Sequence, residues 1–266
     1  MIDCNGRTIN YLRISVTDRC NLRCTYCMPK DGVKLLEHSQ ILSFDEIVNF
    51  TKIAVAKGID KVRVTGGEPL VRRGVTALIS ELSAIDGIKD LSMTTNGTLL
   101  EEFAQELKDA GLMRINISLD TTDPQRYRSI TRGGNIEDLF RGIKAAKEAG
   151  LSPLKINCVI DSSSKEEDAL LVAEYARREG LIVRFIPKMD LESGVFGVVE
   201  GGGGGDCANC NRLRLTPTGK LRPCLFSDIE IDIRKEGALA AIEKALKIKP
   251  IKGLCNHNGD FYNIGG

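Results

Sequence analysis

Histidine occurs only twice in the 266 residues, at His38 and His257. Catalysis built on several imidazoles is thereby excluded, and Ser-His-Asp hydrolysis is disfavoured. Neither sign of charge is in excess, since 37 basic and 36 acidic residues leave a net +1. No global field draws the chain to nucleic acid or a membrane, so any anion must be met by locally gathered cations. No run of about 18 apolar residues is present. The opening Met-Ile-Asp-Cys-Asn-Gly-Arg also lacks an apolar signal region. The expectation is a cytoplasmic protein that binds neither membrane nor nucleic acid. A composition of 42% hydrophobic and 27% charged residues is that of an ordinary globular chain. The length suits one large domain, or one domain with an extension.

Nine cysteines are present, an odd number that argues against a disulfide framework in a chain of this length. Six fall in two sets of three: Cys20, Cys24, Cys27 and Cys207, Cys210, Cys224. Cys4, Cys158 and Cys255 stand apart and read as small buried or surface thiols. Cys20-x3-Cys24-x2-Cys27 lies between a strand-like run and a helix signal. Three thiolates so close can hold three irons of a cubane 4Fe–4S cluster, leaving the fourth iron open. An open iron is a place for chemistry, as an open position marks a catalytic zinc. The alternatives are a zinc site or reduced structural thiols, although no fourth Cys or His lies nearby.

Strand-like runs cover Tyr11–Thr17, Lys61–Thr65, Leu91–Thr95, Arg114–Leu119, Leu154–Val159 and Ile182–Ile186. Helical patterns lie near Ser43–Lys57, Val75–Ser83, Leu99–Ala110, Asn135–Ala149 and Lys165–Glu179. Ser43-Phe-Asp-Glu46 and Ser163-Ser-Lys-Glu166 read as capping boxes. Six β–α alternations imply a parallel sheet, open or curled into a barrel.

The period-2 pattern separates these choices. Arg13, Ser15 and Thr17 share one face of the first strand, and Arg63 and Thr65 one face of the second. Ser92 and Thr94, then Arg114, Asn116, Ser118 and Asp120, continue the polar face. Lys155 and Asn157 oppose Leu154, Ile156 and Val159, where the step breaks, and Arg184 sits between Val183 and Phe185. A sheet covered on both faces is apolar throughout, and a closed barrel fills its interior with branched apolar side chains. The expected fold is therefore α/β, an incomplete (β/α)6 TIM-like barrel with helices outside and a wet lumen. An exposed sheet face is the alternative.

After Asp190 the pattern dissolves. Gly201 to Gly205 are consecutive glycines and read as a flexible tether to a segment carrying the second cysteine set. The expected organisation is a barrel at 1–190, a short glycine-rich joint at 191–206 and a cluster-binding extension at 207–266 that closes the barrel mouth. In that extension Cys207-x2-Cys210-x13-Cys224 is a second set of three thiolates. Cys255 or His257 could instead complete a zinc ribbon.

Gly66-Gly67-Glu68-Pro69 directly follows the second strand, and its glycines let a backbone edge approach a ligand. With the Cys20 loop one β–α unit earlier, the chain resembles the radical S-adenosylmethionine superfamily. The resemblance implies that S-adenosylmethionine chelates the open iron, with Gly67 helping to hold its amino group and Tyr26 against its adenine. Cys210-Asn-Arg212-Leu-Arg214-Leu-Thr, Gly219-Lys-Leu-Arg-Pro-Cys224-Leu and the ending Ile264-Gly265-Gly266 are similar to the GTP 3′,8-cyclase family of molybdenum cofactor biosynthesis. That resemblance covers residues 8–190 and 207–224. It implies two 4Fe–4S clusters, the second held by Cys207, Cys210 and Cys224, open at one iron and binding the guanine base. It assigns Arg13, Arg63, Thr94, Lys155, Arg184, Arg212 and Arg214 to GTP, Ser118 and Met189 to S-adenosylmethionine, and an active-site role to Gly265 and Gly266.

The implied activity is that of a lyase. A 5′-deoxyadenosyl radical, formed by one-electron cleavage of S-adenosylmethionine, takes the C3′ hydrogen of GTP. The C3′ radical attacks C8, and reduction of the resulting aminyl radical by one electron and a proton gives 3′,8-cyclo-7,8-dihydro-GTP. Implied partners are a flavodoxin- or ferredoxin-type electron donor and the downstream cyclic pyranopterin monophosphate synthase, with the chain a monomer or homodimer. One departure stands out. The family has several tens of residues between the Met189 region and the second cluster, whereas here only Asp190 to Asp206 intervene. Competing readings are another twin-cluster enzyme that modifies peptides, and a non-catalytic iron–sulfur or zinc module.

Overall fold

Alternating apolar and polar residues give the strands two unlike faces, and the connecting helices cover the apolar one. The structure, a computed structural model, describes residues 1–257 and 261–264. Its parallel strands are β1 (Tyr11–Ser15), β2 (Lys61–Thr65), β3 (Asp90–Thr95), β4 (Arg114–Ser118), β5 (Leu154–Ile160) and β6 (Ile182–Pro187). Between them run α1 (Phe44–Ala56), α2 (Val75–Ser83), α3 (Leu100–Asp109), α4 (Pro124–Thr131), α5 (Ile136–Glu148) and α6 (Glu167–Glu179). Leu12, Ile14, Val62, Val64, Leu91, Met93, Ile115, Ile117 and Ile156 are fully buried in a core shared with Leu78, Leu107 and Leu139 of the helices. Burying each large apolar side chain contributes about 1.5–3 kcal/mol. The sheet is open, with order β6-β5-β4-β3-β2-β1-β7-β8-β9, as in a partial TIM-like barrel.

Four expectations are corrected. First, the pattern does not dissolve after Asp190. Strands β7 (Arg212–Leu215), β8 (Lys220–Arg222) and β9 (Ile231–Asp232) extend the sheet beyond β1, followed by α7 (Ile233–Glu236), α8 (Ala238–Lys247) and α9 (Phe261–Ile264). Strands of two to four residues are too short to show a period. Second, β5 does not break step. Cys158 packs with the core and Val159 faces the lumen, because a thiol serves as a small apolar group.

Third, the Ser163 capping box does not form. Glu166 is the N-cap of α6, and its carboxylate accepts from the amides of Asp161 at 3.2 Å, Ser162, and Ser163 at 2.8 Å. The Ser43 box does form, with Glu46 N donating to Ser43 Oγ at 3.1 Å and Ser43 N to Glu46 Oε2 at 2.7 Å. Fourth, the glycine run is folded. Phe185 and Glu200 exchange backbone bonds of 3.1 and 3.0 Å along the β6 edge, and Val199 N donates to Gly204 O at 2.9 Å. A Cβ at Gly205 (φ +78°) would lie 1.9 Å from Gly197 O, so this turn requires glycine. Among the described residues no helix is long and apolar enough to cross a membrane.

Candidate functional site

The loop after β1 is pinned from two sides. Gly67 N donates to Thr17 O and Glu68 N to Arg19 O, both at 2.8 Å. A Cβ on Gly67 would stand 2.4 Å from Arg19 O. The glycine is therefore required by the chain's own loop, whereas the sequence suggested a ligand as the close neighbour. On the other side Arg23 N donates to Thr131 O at 3.2 Å, Thr25 N to Ile130 O at 2.9 Å, and Arg132 Nη1 to Met28 O at 2.6 Å. Helix α4, absent from the sequence reading, thus holds the thiol loop. Its signal was present: Asp123 caps the helix by accepting from Arg126 N at 2.7 Å, and Pro124 opens it.

Cys20, Cys24 and Cys27 line a cavity of about 190 Å³ with Tyr26, Gly67, Thr94, Ser118 and Met189. Burial raises the Cys20 thiol to about 11 and the Cys24 thiol to about 12, the latter helped by Asp120, Cys27 and Cys20. Leu22 N and Asn96 Nδ2 meet Cys20 Sγ at 3.4 and 3.8 Å. Such thiols keep their protons at neutral pH until a cation replaces them. Among the described residues no three His, Cys, Asp or Glu side chains converge as a single ion requires. Zinc, with bonds of about 2.3 Å, needs that convergence. Three thiols on one cavity match a cubane, in which each thiolate holds its own iron. Tyr26 Oη donates to Asp120 Oδ2 at 2.6 Å, which joins the loop to the end of β4.

Glu68 is fully buried, and its carboxylate accepts from Leu70 N at 3.0 Å, Thr95 Oγ1 at 2.8 Å and Asn96 N at 2.7 Å. Burial raises its pKa from 4.5 to about 7 against those bonds. The folded state then holds the proton more tightly than the unfolded one. Stability accordingly falls as pH rises from about 4.5 to about 7 and levels off above, by about 3 kcal/mol at most. Glu68→Gln should flatten that slope, read by urea unfolding of the cofactor-free protein at several pH values. An unchanged slope in the variant would refute the assignment.

A second cavity, of about 340 Å³, is lined by Arg13, Arg63, Arg184, Arg212 and Arg214 together with Cys207, Cys210 and Cys224. The register sets Arg63 and Arg214 on either side of Arg13, and Arg184 opposite Asn157. Tyr11 lies under two guanidinium groups, Arg63 at 5.5 Å and Arg212 at 5.7 Å from its ring centre. Arg63 Nε donates to Ser92 Oγ at 3.2 Å, and the Asn116 amide oxygen, once turned, accepts from Arg63 Nη1 at 2.8 Å. Burial and then neighbouring guanidinium groups lower the pKa of Arg13, Arg184 and Arg214, the last to about 10. Arg114 pairs with Asp90, but among the described residues neither Arg63 nor Arg184 meets a carboxylate.

The arrangement departs from the sequence assignments at two residues. Thr94 lines the thiol cavity, its hydroxyl buried without a partner. Lys155 lies outside both linings, yet near enough that Arg184, Arg114 and Arg63 add to burial in lowering its pKa. Tyr11, Lys61 and Asp90 also line the second cavity. Alternation carried two positions back from Arg13, Arg63 and Ser92 would have found them. Asn157, Ile186 and Met189 line both cavities, which therefore adjoin. Cys255 and His257 line neither. His257 N donates to Asp228 Oδ1 at 2.6 Å. Gly265 and Gly266 lie outside the described residues. A wider groove of about 760 Å³, lined by Phe140, Lys144, Lys147 and Tyr175, holds none of this chemistry.

Comparison with known proteins places this geometry. Residues 14–182 match the Radical SAM superfamily. The chain is 40% identical to the GTP 3′,8-cyclase of Thermodesulfovibrio yellowstonii over 97% of its own length and 96% of that protein. It is 43% identical to the GTP 3′,8-cyclase of Moorella thermoacetica, covering 94% of each. The first alignment spans 311 positions against 266 residues here, so that relative carries residues this chain lacks. Among solved structures, methylornithine synthase superposes with a TM-score of 0.57 at 16% identity, over 69% of this chain and 54% of that one. That likeness concerns the fold alone. The chain belongs to the radical SAM superfamily and, within it, to the GTP 3′,8-cyclase family.

Proposed function

We propose that the protein converts GTP to 3′,8-cyclo-7,8-dihydro-GTP in molybdenum cofactor biosynthesis. The observation that carries this reading is the cation-lined cavity adjoining the cavity lined by Cys20, Cys24 and Cys27. Those three thiolates would hold one 4Fe–4S cluster, and Cys207, Cys210 and Cys224 a second. When bound, the first cluster and S-adenosylmethionine supply a 5′-deoxyadenosyl radical that removes hydrogen from C3′ of the nucleotide. Gly67 N is already engaged by Thr17 O, so its carbonyl oxygen is the atom available to an amino group. Tyr26, steadied by Asp120, would lie against adenine, with Ser118 and Met189 completing that chamber.

Arg13, Arg63 and Arg184 would receive the triphosphate, with Lys155 reinforcing the field. Buried guanidinium groups need counter-charges, and phosphate oxygens match their paired donors. Arg212, Arg214 and the second cluster would hold the guanosine end, and Thr94, set in the thiol chamber, would meet the part of GTP nearest the radical. Strands β7–β9 with the rest of 207–266 would close the barrel mouth, excluding water from the reacting atoms. The thiols require a reducing compartment, the cytoplasm, and an electron donor of flavodoxin or ferredoxin type. The product would pass to cyclic pyranopterin monophosphate synthase.

The test is iron and sulfide analysis after anaerobic reconstitution, followed by assay of 5′-deoxyadenosine with and without GTP. About eight irons per chain and a GTP-dependent burst support the reading. About four irons with one zinc, or no cleavage of S-adenosylmethionine, would sink it. Removing Gly265 and Gly266 should lower turnover on the order of 10²-fold, as lost positioning does, with cluster content unchanged. Full turnover without them would exclude a role for the tail.

A further inference from the structure

Lys249, two residues beyond α8, is 2% exposed. Lysine is almost never buried without partners that offset its lost hydration. Its ammonium donates to Arg212 O at 2.8 Å and to Pro223 O, and the Cys210 and Cys224 thiols lie within reach of its charge. Arg212 lies two residues after Cys210, and Pro223 immediately precedes Cys224. One ammonium therefore ties together the two limbs that carry these thiols.

The chain invests further contacts in keeping this lysine in place. Cys4 Sγ and Asn5 Nδ2 donate to Lys249 O at 3.3 and 2.8 Å. Arg7, paired with buried Asp3 at 2.7 Å, donates from Nη1 to Cys207 O at 2.9 Å and from Nη2 to Pro250 O at 2.8 Å. The third thiol limb is thus fastened to the same segment. A neutral donor could satisfy two carbonyls at a smaller desolvation cost. A buried cation is warranted when its neighbours carry negative charge, as metal-bound thiolates do.

We propose that Lys249 is a positioning residue of the second cluster site, whose fixed charge offsets the Cys210 and Cys224 thiolates and raises the reduction potential of the cluster they hold. This rests on the cluster reading above. Charge near an iron–sulfur centre is one of the terms that set its potential. The experiment uses the full chain with Cys20, Cys24 and Cys27 all replaced by Ala, so that only the second cluster is read. Iron per chain and the midpoint potential are compared for Lys249, Lys249→Gln and Lys249→Arg.

The expected result is that Gln lowers the reduced-to-oxidised ratio at fixed potential at least tenfold, a shift of about 59 mV for one electron. Arg should stay within about twofold, by the same relation. Equal potentials for Lys and Gln, or an equal fall for Gln and Arg, would overturn the proposal. If Gln does not fold by circular dichroism, Arg decides: a folded Arg variant with the parent potential supports it, and a shifted one overturns it. Failure of the Lys249 parent to take up about four irons would defeat the cluster reading itself, and the proposal with it.

Discussion

Cys24→Ala should abolish 5′-deoxyadenosine formation and lower iron from about eight to about four per chain. Cys24 is the middle thiol of the loop and feels both Cys20 and Cys27, so its loss removes one of the three donors to the first cluster. The loop itself does not depend on the thiol. Its backbone is tied to α4 through Thr131 O and Ile130 O and to the Gly67–Glu68 segment through Thr17 O and Arg19 O. The cofactor-free variant should therefore unfold at nearly the parent temperature. Retained cleavage of S-adenosylmethionine would contradict the role of this thiol. A collapse in melting temperature would show that the loss was structural.

Arg63→Met separates binding from stability. Arg63 is buried, it hydrogen-bonds Ser92 and Asn116, and burial followed by Arg114 and Arg184 lowers its pKa despite the Tyr11 ring. Losing a hydrogen bond from a charged group costs about 1.5–3 kcal/mol, or about 10- to 150-fold in GTP affinity. Replacing a buried cation that meets no carboxylate by an apolar side chain of similar size removes its desolvation cost, which offsets the lost bonds to Ser92 and Asn116. GTP binding by equilibrium dialysis should therefore weaken, while urea unfolding of the nucleotide-free protein shows equal or greater stability. Unchanged affinity together with lower stability would mean that Arg63 is a structural residue and no phosphate ligand.

Much of this site was legible because the barrel strands obey a period of two. Arg13, Arg63, Asn157 and Arg184 reach the lumen by parity alone; six strands follow from the same pattern, and five helices from their own helical periodicity. Four features are hidden. The place of Val159 is hidden because Cys158 does not read as apolar. The polarity of helix α4 hides a capped helix that only Asp123-Pro124 announces. Strands β7–β9 were missed because two to four residues show no period, and their place beside β1 depends on long-range pairing of Tyr11 with Arg212. Lys249 could not be read at all. Its partners are carbonyls of Arg212 and Pro223, which carry no sequence signal.

The most direct measurement is anaerobic turnover with S-adenosylmethionine, dithionite and GTP deuterated at C3′, with mass analysis of both products. The adjoining cavities predict one deuterium in 5′-deoxyadenosine and a cyclised nucleotide joined between C3′ and C8. Cleavage of S-adenosylmethionine with no deuterium transfer and GTP recovered intact would contradict the assignment of the cation-lined cavity to GTP.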